Sequence, residues 1–454
     1  MPSAETALTG KIPTQILRNA LPGVIAMLAS AAPVLLDALL LSRSGSDHAA
    51  AAAAGYPVLL LMQTIGFTLG TGAGSHVSRC LGQGDRENAL RAASTAFFLS
   101  LLLSGALCMV GFMLVLPLSR LLGTDAASMN AACGYIRYVL LCGPLLCMNL
   151  VLGSLLRAQA QAVANMIAYV SGGCIGCALE FLLISVCRFG IRGSGIAMLA
   201  RETSVFFVLA ISVFQRKMRL RPRIGLFAPS RAVLAAIMRS GTPTLLRQGM
   251  TSLSSALLSR SAAAFGSAAF AGLSLSMRAS AFISSAIIGF GQGFQPVCGI
   301  AFGAGNTKRV LDAYHFCQRI LLIALPLLGT VIFMCATPIM SFFCANSEAA
   351  AAAAFCLKAQ SVTFFAQGAV IMMNMLTQSI GLSMHTSFIA ASRQGYMLIP
   401  LIFILPRLFG LTGLLLCQSV SDVLSLLPCL LITRSVTRFW CAPCGCSHAQ
   451  KALR

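Results

Sequence analysis

Charge is what this chain has least of. Only 9% of its 454 residues are charged and only eleven are acidic, against about 25% charged residues in a soluble globular domain. A deficit of that size means that most of the surface does not meet water. Long polar stretches are also missing, the longest break between apolar runs being residues 216–231. No Gly-Lys-Ser/Thr run follows a strand-like segment and no hydrolase motif appears, so neither ATP use nor enzyme chemistry is expected. A cleavable leader is not evident either: the first apolar segment follows some polar residues and is long enough to span.

What is present is apolar residue in long runs. Hydrophobic residues make up 57% of the chain, and runs such as Pro22–Leu41, Thr95–Leu118, Ile320–Met340 and Met397–Cys417 match the about 20 residues that one helical span requires. They are too long and too uniform for barrel strands, and open sheet edges do not survive in lipid. The expected fold is an all-α membrane protein with twelve transmembrane helices in two six-helix bundles. The expected spans are 17–41, 51–77, 93–118, 130–155, 163–187, 193–215, 233–260, 267–297, 311–340, 353–379, 386–406 and 410–433. An N-terminal lobe over 1–215, a basic linker over 216–231, a C-terminal lobe over 232–434 and a cysteine-rich tail over 435–454 follow from these breaks. The eighteen cysteines lie mostly alone inside spans, where they act as small apolar residues without a disulfide framework.

The net charge of +21 invites a nucleic-acid reading, but its placement opposes one. Basic residues gather at alternate span ends: Lys11 and Arg18, Arg79, Arg86 and Arg91, Arg157, the run RKMRLRPR at 216–223, Lys308 and Arg309, and Arg434 and Arg438. That is the positive-inside bias, which puts both termini in the cytoplasm of a plasma (inner) membrane protein.

A glycine-rich stretch, GFGQGFQPVCGIAFGAGN at 289–306, resembles at first sight a phosphate-cradling loop. It occurs twice. Gly70-Thr71-Gly72 returns as Gly291-Gln292-Gly293, and Gly82-Gln83-Gly84-Asp85 as Gly303-Ala304-Gly305-Asn306, both at a spacing of 221; Pro22 returns as Pro243. Phe189-Gly190 recurs as Phe409-Gly410 at 220. One register held over nearly two hundred residues marks an internal repeat. Each copy ends a long apolar helix, so its glycines serve close packing and bending, and the final Gly-x-Gly a tight turn. An even number of spans per half relates the halves by a pseudo-twofold axis along the membrane normal, with a cavity between them.

Three segments carry a family resemblance: IPTQILRNALPGVIAMLASAAPVLLDALLLSR (12–43), GTPTLLRQGMTSLSSALLSRSAAAFGSAAFAGLSLSMRASAF (241–282) followed by GQGFQPVCGIAFGAGNTKRV (291–310), and QSIGLSMHTSFIAASRQGYMLIPLIFILPRLFGL (378–411). Over residues 12–434 the chain resembles the multidrug and toxic-compound extrusion (MATE) family of antiporters, in its bacterial multidrug-type branch. The resemblance implies export of small amphipathic organic cations in exchange for protons or sodium ions, without a cofactor. It places a coupling carboxylate on Asp37. The family's Asn-x-x-x-Asp-Pro pattern on the fifth helix falls on Gly176, Glu180 and Phe181, and a sixth-helix threonine falls on Met198. Two oxygen ligands are thereby lost, and hard cations need several; protons are the expected ion.

Four acids lie within spans: Asp37, Glu180, Glu202 and Asp422. A carboxylate in low dielectric must pair, find water or take up a proton, so each is a functional candidate. Asp37 and Glu180 are the expected coupling residues. Glu202 and Asp422, spaced by 220, are either coupling residues or members of structural pairs. Arg201, Arg247, Arg278 and Arg393 also lie in spans, as neutralising partners, as snorkelling groups or as marks of an anionic or zwitterionic cargo. Met62, Gln63, Asn149, Met372, Met373 and Asn374 are the candidate walls of a cation-binding cavity. The tail residues Cys441, Cys444, Cys446 and His448 are too tightly spaced for a standard zinc finger, so no metal site is expected. A monomeric exporter is favoured over a lipid-linked precursor flippase on a related scaffold, and over a membrane scaffold or receptor.

Overall fold

The computed structural model describes residues 10–44, 46–121, 129–214, 220–227, 229–343 and 346–441. Twelve long helices run through them. In the first half these are α1 (Ile12–Ser44), α2 (Ser46–Gln83), α3 (Arg86–Met113), α4 (Met129–Ala158), α5 (Ala162–Glu180) and α6 (Gly190–Phe214). In the second half they are α7 (Arg231–Ala263), α8 (Ser267–Gly303), α9 (Thr307–Phe343), α10 (Ser347–Ile380), α11 over 383–409 and α12 over 411–441. The last two are parted at Gly410, whose φ of 58° and ψ of −139° break the helix. Among the described residues ten helical stretches are long and apolar enough to cross a membrane, and the last of them, 383–435, holds both α11 and α12. The remaining helix, α7, is diluted by Thr242, Thr244, Arg247, Gln248 and a serine-rich end. The tail residues Cys444, Cys446 and His448 lie outside the described residues, and every cysteine whose side chain is described is free.

Each half packs the same way. Helix α2 lies along α4 and α1 along α5, while α8 lies along α10 and α7 along α11. Fine contacts follow the register of the repeat. Gly153 on α4 leaves room for the Asn165 side chain of α5, and at the matching place in the second half Asn374 donates to the Thr386 carbonyl oxygen at 3.0 Å. Two helices leave regular geometry: α5 continues as a π-helical turn, Phe181–Val186, and α11 contains another, Ser392–Tyr396. Such turns shift a helix face by one residue, and they collect at functional sites.

The halves meet through α1 against α8 and α2 against α7, and here the repeated glycines find their use. Gly23 faces Gly289, Gly72 faces Gly241, and Gly293 lies against Ala20. Gly82 and Gly303, partners in the repeat, face each other across the pseudo-twofold axis: a Cβ on either would come within about 3 Å of the other's Cα. Real Cβ atoms do not approach so closely, so only glycine lets these backbones touch. Beyond them Gly84 (φ 80°) and Gly305 (φ 79°) make the same left-handed turn. The stretch at 289–306 is thus part of a helix-packing seam, as its repetition predicts.

Polar groups complete the seam. Arg79 donates to the carbonyl oxygens of Gln378 (3.3 Å) and Ser379 (3.1 Å) and to Ser240 Oγ (2.9 Å). Gln378 Nε2 donates to the Ser240 carbonyl oxygen and to Thr244 Oγ1, both at 3.1 Å, and the hydroxyls of Thr244 and Thr71 lie 2.9 Å apart. Arg79 therefore belongs to the interlobe contact, beyond the charge bias its position suggested. The same end gathers the loops. Arg309 reaches Gln15 Oε1 at 3.1 Å, the Leu220 amide donates to Gln159, and the Arg223 amide donates to Ser94 Oγ. The lobes are sealed at the end that carries the basic loops.

Candidate functional site

Asp37 stands on α1 beyond Pro33, and its Oδ1 is buried without a hydrogen-bond partner. Ser194, Arg201 and Arg278 are the polar groups that face it. Glu180 ends the regular part of α5 and is 2% exposed; its Oε2 is also buried and unpartnered. Asp37 and Arg201 are the charges within its reach. The two expected coupling acids thus lie within electrostatic reach of each other, with Arg201 common to both and Arg278 acting on Asp37 as well.

The Arg201 guanidinium is held by α6. Arg201 Nη2 lies 3.0 Å from Glu202 Oε1, and its Nε donates to the same oxygen at 3.1 Å. Asn149 on α4 donates from Nδ2 to Glu202 Oε2 at 2.9 Å and to the Glu202 carbonyl oxygen at 2.9 Å. Glu202 is accordingly fully engaged, the arrangement expected of a structural pair. Room for Arg201 comes from α5: a Cβ on Gly176 would stand 3.1 Å from Arg201 Cδ and 3.2 Å from its Cγ. The arginine stem lies across the position where the family pattern carries asparagine. Spacing along the chain holds no sign of this contact, since Gly176 is informative only by what it lacks.

A cleft opens in the N-terminal lobe, with Gln292 of α8 also among its lining residues. Met27, Phe67 and Tyr169 give it soft and aromatic surface, while Gln63, Arg201 and Glu202 give it polarity. Asp37 and Glu180 do not line it. Of the expected cavity residues only Gln63 lines it. Met62 is fully buried within the bundle, where its side chain packs on Gly143, and Asn149 is occupied by Glu202. Met372 and Met373 are fully buried in the core of the C-terminal lobe, and Asn374 is tied to Thr386. Met62 of α2 is turned against α4 at Gly143, and one physical reason covers the other four. Helix α4 and its partner α10 run through the centres of their bundles, so even their polar and thioether groups meet protein. Met198, at the family's threonine position, is also buried in the core.

Asp422 lies in the other lobe and is paired. Its Oδ1 accepts from Arg393 Nε at 2.6 Å and from Gln418 Nε2 at 2.9 Å. Among the described residues the ion pairs are Arg91–Glu87, Arg201–Glu202 and Arg393–Asp422, and no group of three His, Cys, Asp or Glu side chains is arranged to hold a metal.

Comparison with known proteins agrees with this architecture. The MatE family model matches residues 22–182 and again 243–404, and the two matches start one repeat spacing apart. Multidrug export protein MepA of Staphylococcus haemolyticus is 23% identical over 376 residues, covering 82% of each chain. The protein of that name from Staphylococcus saprophyticus is 21% identical over 92% of each. A solved structure described as the outward-facing conformation of a multidrug resistance MATE family transporter superposes with a TM-score of 0.90 at 22% identity, over 98% of both chains.

Proposed function

The chain belongs to the MatE family, and from that premise we propose that it is a secondary active exporter of small amphipathic organic cations, driven by protons entering at Asp37 and Glu180. The relatives' printed role as multidrug export proteins supports the cargo class. One observation carries the ion assignment: the packed helices α1 and α5 hold two carboxyl groups within electrostatic reach of each other, and each has a buried oxygen without a hydrogen-bond partner. An unpartnered buried carboxylate oxygen is costly, whereas a proton removes the charge and supplies a donor. Sodium would need several oxygens, yet Gly176 and Met198 offer none from their side chains and the Arg201 stem occupies the space over Gly176.

The chain's own residues suggest how the exchange works. With both acids ionised, Arg201 neutralises part of an excess negative charge beside the cleft, and a cation in the cleft completes the balance. Protonation of Asp37 or Glu180 removes that need and weakens cation binding. Helix α1 connects this event to the seam, since it carries Asp37 towards one end and Gly23, packed on Gly289, towards the other. Two lobes moving as bodies about the linker at 216–231 then alternate access. Sealing at the basic end corresponds to an outward-facing state of a monomer whose termini are cytoplasmic.

Proteoliposomes loaded with the cationic dye rhodamine 6G test this reading under imposed proton or sodium gradients. Wild type is expected to move dye with the proton gradient alone, and Asp37→Asn and Glu180→Gln to lose at least about tenfold, equivalent to about 1.4 kcal/mol. Dye movement with sodium alone, or unchanged transport by Asp37→Asn, overturns it. Translocation of an anionic lipid with no dye movement selects the flippase.

A further inference from the structure

The repeat register assigns the N-terminal cleft a counterpart. Ala26, Gln63, Leu146 and Glu202 line that cleft, and Gly172 adjoins the lining residue Gly173. Their partners are Arg247, Ser284, Gln367, Asp422 (at a spacing of 220) and Arg393. Three apolar or side-chain-free positions of the acidic lobe have thus become two arginines and a glutamine.

These partners are assembled around Arg393. Its Nε pairs with Asp422, and with the Gln367 amide oriented oxygen-inwards, that oxygen accepts from Nη1 at 3.3 Å and from Nη2 at 3.2 Å. The same oxygen accepts from Ser284 Oγ. The backbone is fixed from two sides: Ser421 Oγ donates to the Arg393 carbonyl oxygen at 2.6 Å, and Ser254 Oγ of α7 donates to that of Gln394. Arg247 comes from the facing helix α7, whose Met250 side chain packs on Gly395 two residues from Arg393, and Arg393 is the charged group within its electrostatic reach. Among the described residues no carboxylate pairs with Arg247. The one carboxylate of this group belongs to Arg393, and Arg247 has none.

An unmatched positive charge at bilayer depth is costly and belongs to a functional site by default. Snorkelling does not relieve it: Arg247 stands sixteen residues from either end of α7 (Arg231–Ala263), about 24 Å at 1.5 Å per residue. Two neighbouring guanidinium groups, only one of them with a carboxylate partner, suit an oxyanion, because their planar forks of N–H donors match two oxygens at once.

We propose that Arg247 and Arg393 form an oxyanion subsite that takes the carboxylate of zwitterionic cargo, while the acidic N-terminal lobe takes its cationic group. The direction of cargo movement rests on the exporter reading above; the subsite itself is open to test at equilibrium.

The probes are rhodamine 110, which bears a free carboxylate, and rhodamine 123, its methyl ester. Anisotropy titrations use the full chain in phosphatidylcholine nanodiscs, without an ion gradient. Wild type is expected to bind rhodamine 110 about tenfold more tightly than the ester, as one charge-assisted fork contact allows. Arg247→Gln is expected to erase that preference and leave rhodamine 123 binding unchanged, showing that the variant is folded; Arg247→Lys is expected to keep part of it. A wild-type preference for the ester, or a preference that survives Arg247→Gln, overturns the proposal. Nanodiscs containing phosphatidylglycerol separate the two sources of an oxyanion. Should that lipid abolish the preference, the site belongs to a lipid phosphate and the cargo assignment falls. Failure here leaves Asp37-dependent dye export standing, and failure of proton coupling leaves the probe preference standing.

Discussion

The two lobes are one scaffold with opposite chemistry. In the first, Asp37, Glu180 and Glu202 lie within electrostatic reach of Arg201; in the second, Arg247 neighbours Arg393, which pairs with Asp422. Helix packing, π-helical turns and glycine contacts recur between them, so the difference lies in side chains at matching positions. Function in such a repeat is grafted onto a shared frame. The frame is conservative where the lobes touch and free to diverge where each lobe faces its own interior.

The first way to break the comparison is at the place where the lobes are most alike. Leucine at Gly82 or Gly303 collides with backbone of the opposite lobe: the Ile300 carbonyl in one case and the Arg79 carbonyl in the other. Overpacking of this kind costs about 1–3 kcal/mol, and here the cost falls on the sealed state alone. Each variant is expected to reduce dye export to about a tenth or less and to expose seam positions such as Ser240 to aqueous thiol reagents after substitution by cysteine. Gly105, where a Cβ would meet nothing within 4 Å, is the matched control, and Gly105→Leu is expected to export normally. Equal loss in all three variants would remove the seam from the mechanism.

The second test sharpens the difference between the interiors. Arg393→Gln leaves Asp422 buried with only Gln418 beside it. Breaking a buried pair from one side costs about 3–5 kcal/mol, and the partial exposure of Arg393, 18%, reduces this to about 2–3 kcal/mol. Adding Asp422→Asn is expected to recover most of the loss, read as the thermal midpoint of the purified protein. Arg201→Gln is expected to cost less, because Asn149 still donates to Glu202. A double variant no more stable than Arg393→Gln alone would show that the pair is not what holds Asp422.

How much of this was legible in the sequence follows from what each signal depends on. Helix number and the repeat depend on apolar run length and on spacing, both properties of the chain itself, so twelve helices and the repeat register were readable. The role of GFGQGFQPVCGIAFGAGN was readable in kind, as packing, but its partners were not. Spacing says that Gly82 and Gly303 are equivalent and is silent on whether equivalents touch. Asp37 was legible as a lone acid on an apolar helix; Ser194, Arg201 and Arg278 around it come from other helices. The cavity walls were the least legible. Methionine and asparagine have the same composition signal in a wall as in a core, and the central placement of α4 and α10 decided it. Arg247 was visible as an awkward charge, but finding that its charged neighbour is a second arginine required the fold.

The smallest effect compares two caps that occupy one position of the repeat. Asp85 opens α3 by accepting from the Asn88 amide at 3.1 Å, and its counterpart Asn306 opens α9 by accepting from the Arg309 amide at 3.0 Å. Only the first titrates. Bonds from the Asn88 backbone and side chain hold the Asp85 carboxyl below its ordinary value of 3.8. Its folded-state pKa is therefore depressed, so the stabilisation is complete above the unfolded value and is lost as the pH falls from there through the lower folded value. Hydrogen exchange across the α2–α3 turn is expected to accelerate in that window, while exchange at the α8–α9 turn stays level. Asp85→Asn is expected to make the turns behave alike, because the acceptor oxygen remains and the proton-binding site is gone. Parallel acceleration at both turns in wild type would instead mean that acid loosens the seam between Gly82 and Gly303, and the loss would then lie in lobe contact and not in the cap.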